Sequence, residues 1–422
     1  MAIRSIKGLR WWMMGLLMVG AIINYLTRST LAVAAPTFMK DLGITTEEYA
    51  LILNAFQATI MLQPLCGFVM DTLGLKLAMI IFATSWSLVT MAHGFATNWV
   101  AFAGLRGLLG LAEGSANPAG MKATAEWFPA KERGFAGGMY NIGASVGSML
   151  APVLVGFAIA HYNWQTAFVI TGAIGLAWVL LWRQFYFPRA SHPALSAEEE
   201  QYIAAGQEQH LAADAKKPSV RTIIHLRNFW GIALPRFLAD PTWSTLTFWL
   251  PLYLSQVRGF NLKEIALTAW LPFLAADLGC MAGGVIVAFL QRRGVGLINA
   301  RKGAFTVGAV MMMGMAFVGY VQSPYAAVAL LCLGGFAHQT LSVTVITMSS
   351  DLFKRHEVAT VAGMAGTFGN AGILVFNLLI GVLVVKIGYT PFFIGLAALD
   401  LLGAVVLWTV VRENRPQPVR AA

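Results

Sequence analysis

Apolar runs close to 20 residues long recur twelve times along this 422-residue chain. A run of that length crosses the hydrocarbon core of a bilayer as one helix. The runs fall at roughly 11–36, 48–70, 76–94, 98–119, 134–160, 164–184, 228–255, 264–290, 302–321, 325–349, 358–385 and 389–411. Composition agrees: 58% of residues are hydrophobic and 11% charged, with mean hydropathy +0.67. A soluble domain carries about 25% charged residues. The expected fold is an all-α membrane protein of twelve transmembrane helices.

One long polar stretch, 185–227, interrupts the series after the sixth run. Six runs, a linker and six runs outline a two-lobed carrier. The expected domains are an N-terminal six-helix bundle at 1–184, a cytoplasmic linker at 185–227 and a C-terminal six-helix bundle at 228–422. Within the linker, the acidic run at Glu198–Glu200 suits a short amphipathic helix, and the Lys216–Ser219 stretch reads as connector. The halves echo each other on a shift of 225 residues. Glu126-Trp-Phe128 then meets Asp351-Leu-Phe353, and Gly138-Met139 meets Gly363-Met364. The same shift lays Glu113 on His338, so two titratable groups at equivalent depth would face a central cavity.

Loop charges orient the chain. Of the 29 Lys and Arg, 22 lie on the side shared by both termini and 4 on the opposite side. The positive-inside rule therefore places both termini in the cytoplasm. No small-residue cleavage site follows the first run, so that run is expected to be retained. A pI of about 9.6 might suggest nucleic acid. The basic residues instead sit in short loops, with no basic face for phosphates and no interleaved aromatics for bases, so no nucleic-acid partner is expected. Cys66, Cys280 and Cys332 lie in or beside apolar runs without metal spacing, and no disulfide framework is indicated. The chain shows no nucleophile triad, metal cluster or phosphate loop, so no enzyme, metal or cofactor is expected.

Function is sought in charges sunk in the runs, because ionised groups there are costly and usually face a cavity or a partner. Run four carries Arg106 and Glu113, seven apart and thus about two turns along one face. A fixed cation and a titratable acid on one wall suit an anion carrier coupled to protons; a buried pair that only fixes packing would look the same. Run one carries Tyr25, Thr27 and Arg28 in Asn-Tyr-Leu-Thr-Arg-Ser-Thr, and arginine grips carboxylates with a two-pronged fork. Asn54, Gln57, Thr59 and Gln63 of run two, and Asn141 of run five, suit either a cavity wall or interhelical hydrogen bonds. Arg236 and Asp240 in run seven are spaced to pair within one helix. Asp277 and Asp400 are lone acids, Asp400 reading as structural. His338, Gln339 and Ser342 cluster in run ten, and Asn370 sits among glycines in run eleven.

The loop after run two reads Gly-Phe-Val-Met-Asp-Thr-Leu-Gly-Leu-Lys, from Gly67 to Lys76. Gly67, Asp71, Gly74 and Lys76 resemble the signature of the major facilitator superfamily, whose loop is expected to latch the lobes. Gly67 would allow close helix approach, and Asp71 would cap or pair at a neighbouring helix end. Its counterpart near Gln291 and Arg292 is degenerate.

Longer segments are similar to the hexuronate branch of the anion:cation symporter family within that superfamily. They include IKGLRWWM, NYLTRST, GMKATAEWFPAKERG, FWGIALPRFLADPTW, LPFLAADLGC and LLCLGGFAHQTLS, and they run from the first residues to run twelve. The resemblance implies the major facilitator fold, two pseudo-symmetric six-helix bundles. It also implies proton-coupled uptake of glucuronate or galacturonate by alternating access, across the bacterial inner membrane, by a monomer surrounded by lipid. By resemblance, Arg28 contacts the sugar acid's carboxylate with Tyr25 nearby, Arg106 and Glu113 couple protons, and Asn370 meets sugar hydroxyls. Thr59, Asn141, His338 and Gln339 complete the expected substrate site; Gly67, Asp71 and Gly74 are expected to gate.

Two departures stand out. Thr27 occupies a position where many relatives carry aspartate, and Ala144 one where some carry glutamine. The first removes a proton site and leaves the coupling to Glu113, with help from His338. In the expected cycle, Glu113 takes a proton as it loses a link to Arg106, and the neutralised, loaded carrier rocks because burying net charge is expensive. Rival readings are a symporter of another organic anion, such as an aldonate or dicarboxylate, and a membrane sensor that binds sugar acids without moving them.

Overall fold

The structure is a computed structural model, and it describes residues 5–129, 132–205, 220–353 and 355–413. Among the described residues every regular element is helical. The helices are α1 (Leu9–Leu42), α2 (Thr46–Ile60), α3 (Gln63–Leu73), α4 (Leu75–His93), α5 (Trp99–Glu113), α6 (Ala116–Trp127), α7 (Arg133–His161) and α8 (Trp164–Phe185). Then come α9 (Ala197–Ala205), α10 (Val220–Ile224), α11 (Arg227–Ser244), α12 (Leu250–Gln256), α13 (Leu262–Thr268) and α14 (Leu271–Arg292). The last are α15 (Leu297–Met312), α16 (Pro324–Leu352), α17 (Arg355–Ile387) and α18 (Thr390–Val410).

Eight helices among the described residues are long and apolar enough to cross a membrane, or nine if the bent pair α2–α3 is one span. The runs that fail this test are the fourth, seventh and ninth, and each is broken for a visible reason. Run four parts at Gly114–Ser115, and Pro118 sits in the first turn of α6, where its missing N–H costs nothing. Run seven holds Pro235, Pro241 and Pro251 and loosens into a π turn at Thr245–Trp249. Run nine tightens into a 3-10 turn at Met313–Phe317. Within run two, Pro64 opens α3 and the axis bends by 42°. The predicted twelve runs are therefore all helical; the second, fourth, seventh and ninth are interrupted, and the eighth is divided between α13 and α14.

Polar side chains start the helices of the second, fourth, sixth, eighth and tenth spans. Thr45 and Glu48 form a capping box at α2, and Asn261 with Glu264 forms another at α13. Asn98, Asn163 and Ser323 accept from the backbone at the starts of α5, α8 and α16. The start of α1 is capped from the linker instead. Glu199 of α9 accepts from the backbone N–H groups of Leu9 (3.0 Å) and Arg10 (3.3 Å) and from the Arg10 guanidinium (2.7 Å). The acidic run therefore does form a helix, while Lys216–Ser219 lies outside the described residues.

By contact, the chain divides into two units. One comprises 1–213, 247–271 and 377–385; the other 214–246, 272–376 and 386–422. In the first, glycines bring helices close. A Cβ on Gly143 or Gly147 of α7 would meet the carbonyl oxygens of Met18 or Ile22 on α1. Gly20 admits the Trp178 ring, and Trp86, Trp178, Trp182 and Tyr186 stack in a buried ladder. In the second unit, α11 packs on α16 and α18, and α15 packs on both of those helices. Outward apolar side chains such as Phe157, Met281 and Val385 are more than 60% exposed, as lipid-facing residues must be.

Candidate functional site

Run four sets the geometry. Its small residues Gly107, Gly110 and Gly114 face the α2–α3 span, where a Cβ on Gly110 would meet the Phe56 carbonyl oxygen and the Thr59 hydroxyl. Small residues at this spacing let two helices approach closely. With that face committed to α2, Arg106 and Glu113 turn inward, and both are 1% exposed. Glu113 is the last residue of α5, at the break that Gly114 and Ser115 make.

The carboxylate of Glu113 is held from α1. Arg28 Nε donates to its Oε2 at 3.0 Å and the Thr27 hydroxyl to its Oε1 at 2.9 Å. A second Arg28 nitrogen donates to Asn24 Oδ1 at 3.2 Å. The Arg28 guanidinium also lies over the rings of Tyr25 (4.5 Å) and Phe56 (5.2 Å). Arg106 lies over the same Phe56 ring, at 5.3 Å. A ring between two like charges attracts both through its electron-rich face.

This corrects the expected link. Glu113 pairs with Arg28, not with Arg106, although Arg106 and Glu113 share a helix face as predicted. Seven residues, roughly 10 Å, separate them along α5. Arg106 instead donates one Nη2 bond to the Arg28 carbonyl oxygen at 3.0 Å. Its Nε and Nη1 have no partner among the described residues. The cluster thus holds two guanidinium groups against one carboxylate, with two buried donors unfilled. Buried donors without a protein acceptor are uncommon, and an ordered water or an anion would each fill them.

The other predicted residues separate into groups. Thr59 spends its hydroxyl on the Ala55 and Phe56 carbonyls of its own helix and packs against Gly110, so it serves the α2–α5 contact. Asn141 lies on α7, and its side chain is outside the described residues. His338, Gln339 and Asn370 belong to the second unit. His338 is buried, stacks on Trp243 with centroids 6.0 Å apart, and leaves Nδ1 unpaired among the described residues. Gln339 and Asn370 are half-buried. The match of Glu113 to His338 does not extend to backbone: α5 ends at Glu113, whereas α16 runs unbroken through His338.

At the loop motif, Lys122 donates to Asp71 Oδ1 at 2.6 Å and to the Met70 carbonyl at 2.9 Å. Gly74 has φ 77° and ψ 155°, a conformation essentially restricted to glycine. Gly67 does not provide the close approach expected of it: a Cβ there would make only an ordinary 3.9 Å contact with Pro118. Arg236 and Asp240 pair within α11 at 2.9 Å, as their spacing predicts.

Asn24 and Phe56, which orient Arg28 and Arg106, carry no charge and gave no signal in the sequence. His93 was also silent. It is buried at the end of α4, with Nδ1 on the Val89 carbonyl at 2.8 Å and Nε2 unpaired among the described residues. Among the described residues no group of three His, Cys, Asp or Glu is placed to hold a metal ion.

The chain matches the description of the Major Facilitator Superfamily over residues 17–376 and 295–422, and it belongs to that superfamily. It is a multi-pass membrane transporter and not an enzyme. Among named relatives, it is 49% identical to the hexuronate transporter of Escherichia coli (strain K12) over 416 residues, 98% of this chain and 96% of that one. It is 49% identical to the galacturonate transporter of Dickeya chrysanthemi over 329 residues, 77% of this chain and 95% of that one. In structure it is similar to a bacterial homologue of the human lysosomal transporter Spinster, in an inward-facing and unoccupied conformation. The TM-score is 0.75, with 96% of each chain covered and 15% identity, which supports the fold alone.

Proposed function

We propose that this chain is a proton-coupled symporter of hexuronates, glucuronate and galacturonate, working by alternating access. It acts as a monomer in the bacterial inner membrane, with both termini cytoplasmic. The bundles 1–184 and 228–422 are the moving halves, joined by 185–227. The substrate class is supported by the two relatives at 49% identity.

The observation that carries the coupling is the bond between Arg28 and Glu113. With Glu113 ionised, its carboxylate occupies the donors that a sugar acid's carboxylate needs. When Glu113 takes a proton, the ion pair breaks, and the Arg28 fork is free for the substrate. Proton and hexuronate then enter together because both act on one guanidinium. The loaded site trades one carboxylate for another, so its net charge is unchanged by loading and reorientation carries no new buried charge. Arg106, with two unfilled donors beside the Arg28 carbonyl, holds the positive potential that draws the anion in. Tyr25, His338, Gln339, Asn370 and Asn141 are assigned to the sugar ring, and Asp71 and Gly74 to the loop that gates. Thr59 is released from the substrate site.

Uptake of radiolabelled galacturonate into proteoliposomes tests this directly. An inward proton gradient should drive accumulation, an uncoupler should abolish it, and glucuronate should compete better than an aldonate or a dicarboxylate. Uptake indifferent to the gradient would reject proton coupling. Preferential competition by an aldonate would reject the substrate class.

A further inference from the structure

The second unit holds an aromatic ring that this scheme leaves unused. Arg236, Asp240 and Trp243 occupy positions i, i+4 and i+7 of α11, and so one face of it. Arg236 and Asp240 pair on that face with side chains 19% and 13% exposed. Charged side chains within a span face the bundle interior or a water-filled cavity, not lipid. α17 leaves them room: a Cβ on Gly366 would meet the Arg236 guanidinium, and one on Gly369 the Asp240 carboxylate. Gly366 lies one turn from Asn370, which is already assigned to the sugar.

Trp243 thus sits on the interior face of α11, and it is half-buried. Two buried neighbours hold its ring. His338 of α16 stacks on it at 6.0 Å with planes 21° apart, and Phe273 of α14 meets it at 5.6 Å with planes 85° apart. The ring is fixed while part of its surface stays open. Its indole N–H makes no hydrogen bond among the described residues. The indoles of Trp178, Trp182 and Trp249, by contrast, donate to Leu16, Lys76 and Asn377. An indole N–H inside a protein usually finds such a partner.

We propose that Trp243 is the platform for the pyranose ring of the substrate and sets a preference for a cyclic sugar acid over an open-chain one. A pyranose chair gathers C–H bonds on its faces and hydroxyls around its rim. The indole face suits the first. The rim suits the indole N–H, the Asp240 carboxylate and the Arg236 Nε, which is unpaired among the described residues. Sugar-sized sites combine aromatic walls with a few placed polar groups in this way. An open-chain aldonate carries the same carboxylate but no rigid face. It gains the contacts to charge and not the stacking.

This inference rests on the hexuronate reading and deepens it. The experiment is uptake of labelled galacturonate into proteoliposomes, with unlabelled galacturonate and galactonate, the open-chain aldonate, as competitors. In Trp243→Leu the KM for galacturonate should rise about tenfold, the upper range for one aromatic stacking contact, with maximal rate little changed. Inhibition by galactonate should not change, so the preference for the ring shrinks by the same factor. Trp243→Phe keeps a ring face and should recover most of the loss. An unchanged KM in Trp243→Leu would overturn the platform. An equal loss of affinity for both competitors would also overturn it, as a merely structural role predicts. A wild-type protein that prefers galactonate would remove the hexuronate reading, and this inference with it. Should Trp243→Leu fail to insert, the wild type decides. Oxidation of Trp243 by N-bromosuccinimide, mapped by mass spectrometry, should slow when galacturonate is present, and an unchanged rate is the contrary result.

Discussion

The arginine–acid pairs Arg28–Glu113 and Arg236–Asp240 both sit in membrane-spanning helices, and they are built differently. Arg28 and Glu113 belong to separate helices, α1 and α5, and the acid is wholly buried. Arg236 and Asp240 belong to one helix, four residues apart, with side chains 19% and 13% exposed. Breaking the first pair removes a tie between two helices. The second pair lies within α11, packed against Gly366 and Gly369 of α17.

The strongest test of that contrast replaces each arginine by alanine. Arg28→Ala leaves the Glu113 carboxylate buried with Thr27 as its remaining described donor. Truncating one member of a buried pair costs about 3–5 kcal/mol. Uptake should fall at least ~100-fold, since every 1.4 kcal/mol is tenfold, and the melting temperature should drop. Arg236→Ala breaks a partly exposed bond within one helix, worth about 0.3–0.5 kcal/mol at the surface. Thermal unfolding should register it far more weakly. Equal losses of stability would erase the distinction between the two pairs.

Packing offers a second, smaller contrast. Gly147→Ala forces a methyl against the Ile22 carbonyl where α7 meets α1, and overpacking of this kind costs about 1–3 kcal/mol. Gly67→Ala meets only Pro118 at 3.9 Å and should leave the melting temperature nearly unchanged. Thermal unfolding in detergent reads both, and a Gly67→Ala loss as large as that at Gly147 would show that α3 needs its glycine for closeness after all.

A single hydroxyl comes next. Thr27→Val keeps the shape and removes the 2.9 Å donor to Glu113. A hydrogen bond to the ionised form favours that form, so its loss makes the carboxyl keep its proton to higher pH. The pH of half-maximal uptake should rise, by about one unit or less. A fall would show that Thr27 holds the neutral acid instead. The smallest effect is expected at Lys122→Ala. Its partner Asp71 is 77% exposed, and such pairs contribute at most about 1 kcal/mol. A larger loss of stability would mean that the loop motif is a structural clamp.

Much of this was legible in the chain before any coordinates. Hydropathy located the spans because a membrane helix needs length and little else. Cost located Arg28, Arg106, Glu113, Arg236 and Asp240, since ionised residues in such spans need a reason to be there. Pairing was harder. The sequence shows Arg106 and Glu113 on one helix face, but the partner of Glu113 comes from α1, and contacts between helices leave no trace in spacing. Neutral partners such as Asn24 and Phe56 are invisible for the same reason. Gly67 was credited with close packing that Gly110, Gly143 and Gly147 actually provide.

The measurement closest to the central claim is made on Glu113→Gln in proteoliposomes, which removes the switchable charge and leaves Arg28 free. The variant should still exchange labelled for unlabelled hexuronate across the membrane, and it should fail to accumulate substrate under an imposed proton gradient. Gradient-driven accumulation at the wild-type level would contradict the assignment of coupling to the Arg28–Glu113 pair.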